Sequence, residues 1–336
     1  MAPSLIAMAL FIALPIVSIV VQSLYIDHPQ VLIQTETCQP FGGCVTESTV
    51  DVAATARLRE EAPLGQFNGF GTYLDRNHLA AAEIAALWQG TEGWGDFLAG
   101  VYNLPLWRAL AFTLTYCVVV TLAAMTLGFF IALAVDAVPR LIRGPVIFFS
   151  LIPMLITPLV GALILFWMLN SEGVLGAALQ NLFNDPNLST RTSAPLTWIM
   201  LMVYGTWTNT PFSFIVFYAG LQAVPRETLE AAMIDGASRW ERVRFVVLPS
   251  LRPLVLFVLL VQIMDNFRVF EPIISFNAGA NASSLAYEIY RSLNTQTSQL
   301  FGSAAATSVI TIGFIAVLIV PILMRVAREL QSGRGA

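Results

Sequence analysis

Asp265, Arg268 and Glu271 recur at intervals of three inside an otherwise apolar stretch. A charge facing lipid there costs at least about 2.5–3.5 kcal/mol on insertion scales, so these groups must face protein or water. On one helix Arg268 can pair with either acid. The spacing leaves two readings: a buried ion-pair staple to a neighbouring helix, or a polar cavity lined by Asp265, Asn266, Arg268 and Glu271. A second cluster, Trp207-Thr208-Asn209-Thr210 with Ser213, surrounds Pro211. Proline frees a backbone carbonyl that nearby hydroxyls can satisfy, so the cluster reads either as a kink or as Asn209, Thr210 and Ser213 lining the same cavity. Covalent chemistry is harder to place. All 17 basic residues are arginine, so the chain offers no P-loop lysine for a nucleotide and no amine for a Schiff base. The two histidines and the lack of Gly-x-Ser-x-Gly or His-Glu-x-x-His motifs leave little for a membrane enzyme.

The elements that must hold these residues are membrane helices. The chain is 57% hydrophobic and 11% charged, with a mean hydropathy of +0.72, far more apolar than soluble domains. A helix needs about 20 apolar residues to cross a core of about 30 Å. Stretches 3–25, 108–135, 145–169, 196–221, 253–275 and 303–326 qualify, and an all-α membrane protein of six transmembrane helices is expected. The first stretch is too long, and lacks the basic flank and cleavage site, for a signal peptide. Basic residues of short loops stay in the cytoplasm. Arg140, Arg143, Arg226, Arg239, Arg242, Arg244, Arg252, Arg325, Arg328 and Arg334 share one side, while the short loops opposite hold Arg191 and Arg291. Both termini are therefore expected in the cytoplasm, with 327–336 as a cytoplasmic tail. The net charge of −4 and the lack of a basic block speak against nucleic acid.

Residues 26–107, carrying ten of the 21 acids, read as a small extracytoplasmic domain. Leu79–Leu87 has high helix propensity and Gln89–Gly95 is broken by three glycines, which predicts a short helix and then a loop. Cys38 and Cys44 flank Pro40 and Phe41-Gly42-Gly43, a spacing that lets the chain double back; a disulfide or two free thiols are the readings, with no metal expected. Cys117 reads as a lipid-shielded small hydrophobe. No internal repeat appears. Ala124 and Gly128, four apart, fit close helix packing.

Between the fourth and fifth stretches, at 222–252, lies a charged island. Pro225 suits a first helical turn and Gly236 the left-handed position after a helix end. Ser238 can cap a second helix, with Trp240, Val243 and Val247 on one face, until Pro249 interrupts it. An interfacial connector anchored by its arginines would look much the same. The residues themselves carry a resemblance: Glu230, Ala231, Ala232, Asp235, Gly236, Ala237, Leu248 and Pro249 match in register the EAA loop of binding-protein-dependent ABC importer permeases. Trp107-Arg108-Ala109-Leu110-Ala111-Phe112-Thr113 is similar to that family's Trp-x-Ala-Leu-x-Asn-Thr, with Phe112 in place of asparagine. Phe267-Arg268-Val269-Phe270-Glu271 resembles Phe-Lys-x-Phe-Asp of the carbohydrate-uptake branch, which the maltose permeases typify. The usual Thr-x-Gly-Gly-Pro does not follow; Asn277-Ala278-Gly279-Ala280-Asn281 does. The resemblance covers roughly 104–328.

The resemblance implies a type I importer fold with a core at 108–326, in a bacterial inner membrane. It implies that the loop is a coupling helix docking on an ATPase, with Glu230 making the polar contact, Gly236 the turn, and Ala231, Ala232 and Ala237 permitting close approach. The implied partners are a second, non-identical permease subunit, two copies of an ATPase that hold ATP and Mg, and an extracytoplasmic substrate-binding protein; this chain holds no cofactor. The implied activity is uptake of a sugar or sugar derivative by alternating access. The alternative, an ion-coupled secondary transporter with Asp265 and Glu271 carrying protons, leaves the island idle.

Overall fold

Proline placement sets where many helices of this chain start, bend and stop. The computed structural model describes residues 2–28, 31–38, 44–185, 193–294 and 300–332, so Pro40 to Gly43, Arg191 and Arg334 lie outside them. The chain divides into two units, Met1–Arg108 with Glu288–Gly313, and Ala109–Tyr287 with Phe314–Ala336.

The first unit opens with α1 (Ala2–Met8) and α2 (Leu14–Gln22), joined without interruption by a π turn at Ala9–Ala13. Two antiparallel strand pairs follow, β1 (Tyr25–Ile26) with β4 (Gln66–Phe67), and β2 (Leu32–Cys38) with β3 (Cys44–Val50). These strands correct the all-α expectation. Their signal was present, since 32–38 and 44–50 are rich in Val, Ile and Thr. Asp51 caps α3 (Val52–Glu61) by accepting from the Ala54 amide at 3.0 Å. After α4 (Gly71–Leu74) come α5 (Ala81–Gly90) and α6 (Trp94–Tyr102). A helix therefore occupies much of what reads as a glycine-broken loop, and the break shrinks to Thr91–Gly93. His78 is buried and its Nε2 meets the Ser303 carbonyl at 3.1 Å, tying this segment to residues 300–313.

The second unit takes in most of α7 (Pro105–Ala137), then α8 (Arg140–Leu155), α9 (Pro158–Leu169), α10 (Val174–Phe183) and α11 (Ala194–Ala223). The predicted straight span 145–169 is instead α8 and α9, bent by 94°. Thr157 is extended at φ −61, ψ 142, as a residue before proline prefers, and Pro158 starts the new helix. Helix α7 packs on α11 where Gly128 sits: an added Cβ would meet the Phe214 amide and Ser213 Cβ at 2.7 Å, so only glycine allows this approach. Ala124 is fully buried. Ala132, Val135, Phe214, Phe217 and Val258 form one core; Phe112, Tyr116, Tyr204 and Ile273 belong to another.

The island follows as α12 (Arg226–Ile234), α13 (Arg239–Arg242), a π turn at Val243–Val247 and α14 (Leu248–Ser250). Then come α15 (Arg252–Phe267), α16 (Glu271–Ser275), α17 (Leu285–Leu293) and α18 (Phe301–Ser332). The predicted span 253–275 is thus two helices broken at 268–270. Pro272 explains the break: it lacks the amide that would bond the Arg268 carbonyl, and its ring crowds that carbonyl. Among the described residues, Pro3–Gln22, Pro105–Ala137 and Phe301–Arg325 are long and apolar enough to cross a membrane, and two bent pairs, α8 with α9 and Arg239–Ser250 with α15, raise the number to five. Helix α11 is long enough at 30 residues but carries the polar run 206–210.

Candidate functional site

The polar residues of α11 and α15 meet in a connected set of hydrogen bonds. Asn266 is 3% exposed; its Nδ2 donates to Thr121 Oγ1 at 3.0 Å and to Gln262 Oε1 at 3.2 Å, while its Oδ1 accepts from Asn209 Nδ2 at 3.3 Å. Gln262, 1% exposed, donates to the Asn209 carbonyl at 3.0 Å and to Ser213 Oγ at 2.9 Å. Asn209 also donates to the Gly205 carbonyl at 2.8 Å. Buried polar groups need such partners, because leaving one unmet costs about 1–3 kcal/mol. Thr208 and Thr210 bond back to Tyr204 and Thr206, one turn earlier.

This set borders a cleft of about 610 Å³ whose lining includes Tyr204, Asn209, Asp265, Asn266, Arg268 and Glu271. Two observations bear on the three charged residues. Arg268 caps the end of α15 and Glu271 opens α16, so the three do not share one helix. Arg268 pairs at 2.8 Å with Asp265, and the two side chains are 73% and 52% exposed at the cleft, so their ion pair lies within one segment and not between neighbouring helices. One guanidinium faces two carboxylates, and it is already engaged by one of them.

Thr210 and Ser213 stand apart from the other candidates. Thr210, with Pro211, lines a separate, apolar groove, and Ser213 is fully buried against Gln262. Gln262, Thr121 and Tyr204 escaped sequence reasoning. Gln262 had a legible signal, a polar residue one turn before Asn266 in an apolar run.

The island is a capped helix, turn and helix. Pro225 precedes α12 and Gly236 follows it at φ +80. Ser238 Oγ accepts from the Glu241 amide at 3.3 Å and the Glu241 carboxylate accepts from the Ser238 amide at 2.7 Å, a complete capping box. The Ser238 hydroxyl and then its amide hold the Glu241 carboxyl below the usual range. Pro249 does not interrupt the second helix. The π turn before it reroutes the backbone, with the Leu248 amide reaching the Val243 carbonyl, and the helical run continues to Ser250. Nor do Trp240, Val243 and Val247 share one environment: Trp240 is exposed and Val247 buried. Glu230, Ala231, Asp235, Gly236 and Pro249 are exposed, Ala232 and Ala237 half-buried, and Met233 and Ile234 present apolar surface beside them. Cys38 and Cys44 are cross-strand partners in the β2–β3 register; their side chains lie outside the described residues.

Comparison with known proteins places this geometry. The profile of the binding-protein-dependent transport system inner membrane component family matches residues 124–328. The trehalose transport system permease protein SugA of Mycobacterium tuberculosis is 30% identical over 259 residues, 73% of this chain and 76% of its own. The sn-glycerol-3-phosphate transport system permease protein UgpA of Rhizobium meliloti is 28% identical over 235 residues, 67% of this chain and 77% of its own. In fold, the chain is similar to one in the crystal structure of a bacterial ABC transporter involved in the import of the acidic polysaccharide alginate. The TM-score is 0.60 at 22% identity, covering 74% of this chain and 88% of that one. None of these matches favours proton-carrying acids at Asp265 and Glu271.

Proposed function

The chain belongs to the family of binding-protein-dependent transport system inner membrane components, and from that premise we propose that it converts movement of its island into opening and closing of the polar cleft. One observation carries this reading. Helix α11 brings Asn209 to the cleft and leads at Ala223 into the island, and the island leads at Arg252 into α15, which brings Asp265 and Asn266 to the same cleft. A push on α12 therefore acts on both cleft-lining helices through a few residues of backbone.

The push comes from a partner. With no lysine for a P-loop, hydrolysis of Mg-bound ATP belongs to two copies of a separate ATPase, which grip Glu230, Ala231, Ala232, Asp235, Gly236 and Ala237, with Pro249 shaping the second helix. A second, non-identical permease subunit completes the pathway in the bacterial inner membrane. Six spans put both termini in the cytoplasm and the segment 26–107 outside, where a binding protein delivers substrate and Cys38 and Cys44 form a disulfide. Directly opposed residues of an antiparallel pair have Cα atoms about 4.5–5.5 Å apart, a separation a disulfide accepts.

The solute is a sugar or sugar derivative. Amides and carboxylates suit hydroxyl groups, and Tyr204 offers a ring. The experiment is uptake by the assembled transporter in proteoliposomes. Uptake is expected to need ATP and a binding protein and to survive a proton uncoupler. Glu230→Arg should leave the protein in the membrane while uptake per ATP falls at least about tenfold, the scale of a lost buried charge contact. Asn209→Ala and Arg268→Ala should reduce uptake with expression unchanged. Full uptake in all three variants removes both the coupling and the cleft assignments.

A further inference from the structure

Helix α6 turns an apolar ridge outward. Trp94, Leu98 and Tyr102 recur at intervals of four, stacked on one face, and are 70%, 61% and 43% exposed. Trp88, near the end of α5, is also exposed and meets Trp94 edge-on with ring centroids 5.5 Å apart. Phe97 completes the trio, 5.5 Å from Trp88 and 6.2 Å from Trp94. The packed side of α6 is a different one. Gly100 lies so close to α5 that an added Cβ would meet the Leu87 side chain at 2.7 Å. The hairpin has therefore made its internal contact with the ridge left uncovered among the described residues.

The chain fixes where this ridge sits. The Asn103 amide bonds the Ala99 carbonyl and the Leu104 amide the Val101 carbonyl, so the backbone leaves α6 in hydrogen-bonded turns. Pro105 then opens the 33-residue α7, three positions after Tyr102. Trp107 stands in the first turn of that helix and donates its indole N–H to the Leu79 carbonyl at 3.2 Å. The ridge thus stands a few residues of chain before a helix apolar enough to cross a membrane, and Trp and Tyr are enriched where such helices meet the headgroups because one end of the ring is apolar and the other wet. Between 79 and 107 there is no basic residue, while Glu83, Glu92 and Asp96 are acidic. Attraction to anionic headgroups therefore contributes nothing here, and apolar burial must carry the contact.

We propose that the α5–α6 hairpin is an interfacial anchor, with Trp88, Trp94, Leu98 and Tyr102 seated at the headgroup–acyl boundary of the phospholipid bilayer beside the start of α7. The experiment uses the assembled transporter in nanodiscs of phosphatidylcholine, with and without lipid brominated near the top of the acyl chains. The pair's emission is the difference between the native protein and the Trp88→Phe, Trp94→Phe double variant. Brominated lipid is expected to lower that emission about twofold or more, aqueous iodide to change it little, and salt to leave both results unaltered. Emission indifferent to bromine and quenched by iodide overturns the proposal. Protection from iodide only after the substrate-binding protein is added assigns the ridge to that protein and also overturns it. A nitroxide on Leu98→Cys, with both tryptophans intact, gives an independent reading. Greater access to oxygen than to a water-soluble nickel chelate is expected, and the reverse order refutes lipid contact.

Discussion

Gly236 lies at φ +80, with no atom within 4 Å of the place a Cβ would occupy. The constraint there is conformational and not steric. A side chain at positive φ costs roughly 1–2 kcal/mol for an ordinary residue, more for a β-branched one, and least for asparagine. Gly236→Asn should therefore keep most coupled uptake, whereas Gly236→Val should lose it with the protein still in the membrane. The comparison is made by uptake per ATP hydrolysed in proteoliposomes. Equal loss in both variants would show that the position needs an empty surface for its partner and not a left-handed turn. Residues of this kind are legible in a sequence, because a glycine directly after a helix end suits the left-handed position there. The Asp265–Arg268 pair was legible from its spacing of three, but the placing of Glu271 on a separate helix was not, since the run stops at Phe267.

Helix ends turn on which prolines break the backbone and which do not. Pro158 and Pro272 each start a helix after a break, yet Pro145, Pro153, Pro211 and Pro321 lie inside helices. The difference is whether neighbouring groups can absorb the lost bond, and that depends on contacts distant in sequence. Pro249 follows a π turn in which the Leu248 amide reaches the Val243 carbonyl. The capped start of the island's second helix was readable because its capping box is local, Ser238 to Glu241. That box carries a pH dependence. The Glu241 pKa is lowered in the folded loop, so its contribution is present above the ordinary carboxylate range and is lost as pH falls through the lowered value. Protection factors at the Ser238–Arg242 amides, taken relative to the intrinsic exchange rate at each pH, should fall on acidification. Ser238→Ala should lower protection at neutral pH and remove its pH dependence. Protection in that variant equal to the native loop would deny the box any role in holding the helix.

At the scale of the molecule, coupling requires that the two cleft-lining helices respond together when the island is moved. Gln262 makes two of the ties, beside the Asn209–Asn266 bond: it donates to the Asn209 carbonyl at 3.0 Å and to Ser213 Oγ at 2.9 Å, both on α11, while its own oxygen accepts from Asn266. Replacing it with leucine keeps the volume close to native but leaves the Asn266 amide one acceptor short and removes two of the hydrogen bonds that join α15 to α11, the Asn209–Asn266 bond remaining. The cost of an unmet buried donor, about 1–3 kcal/mol, is small against a whole transporter but large for one hinge. Gln262→Leu should therefore assemble, bind ATP and hydrolyse it, with uptake per ATP reduced several-fold, in line with a helix pair that moves out of step. Cross-linking cysteines introduced on α11 and α15 should then form over a wider range of positions than in the native protein. Unchanged uptake per ATP would mean that α11 and α15 are driven independently by the two ends of the island, and that the polar set around Asn266 serves stability only.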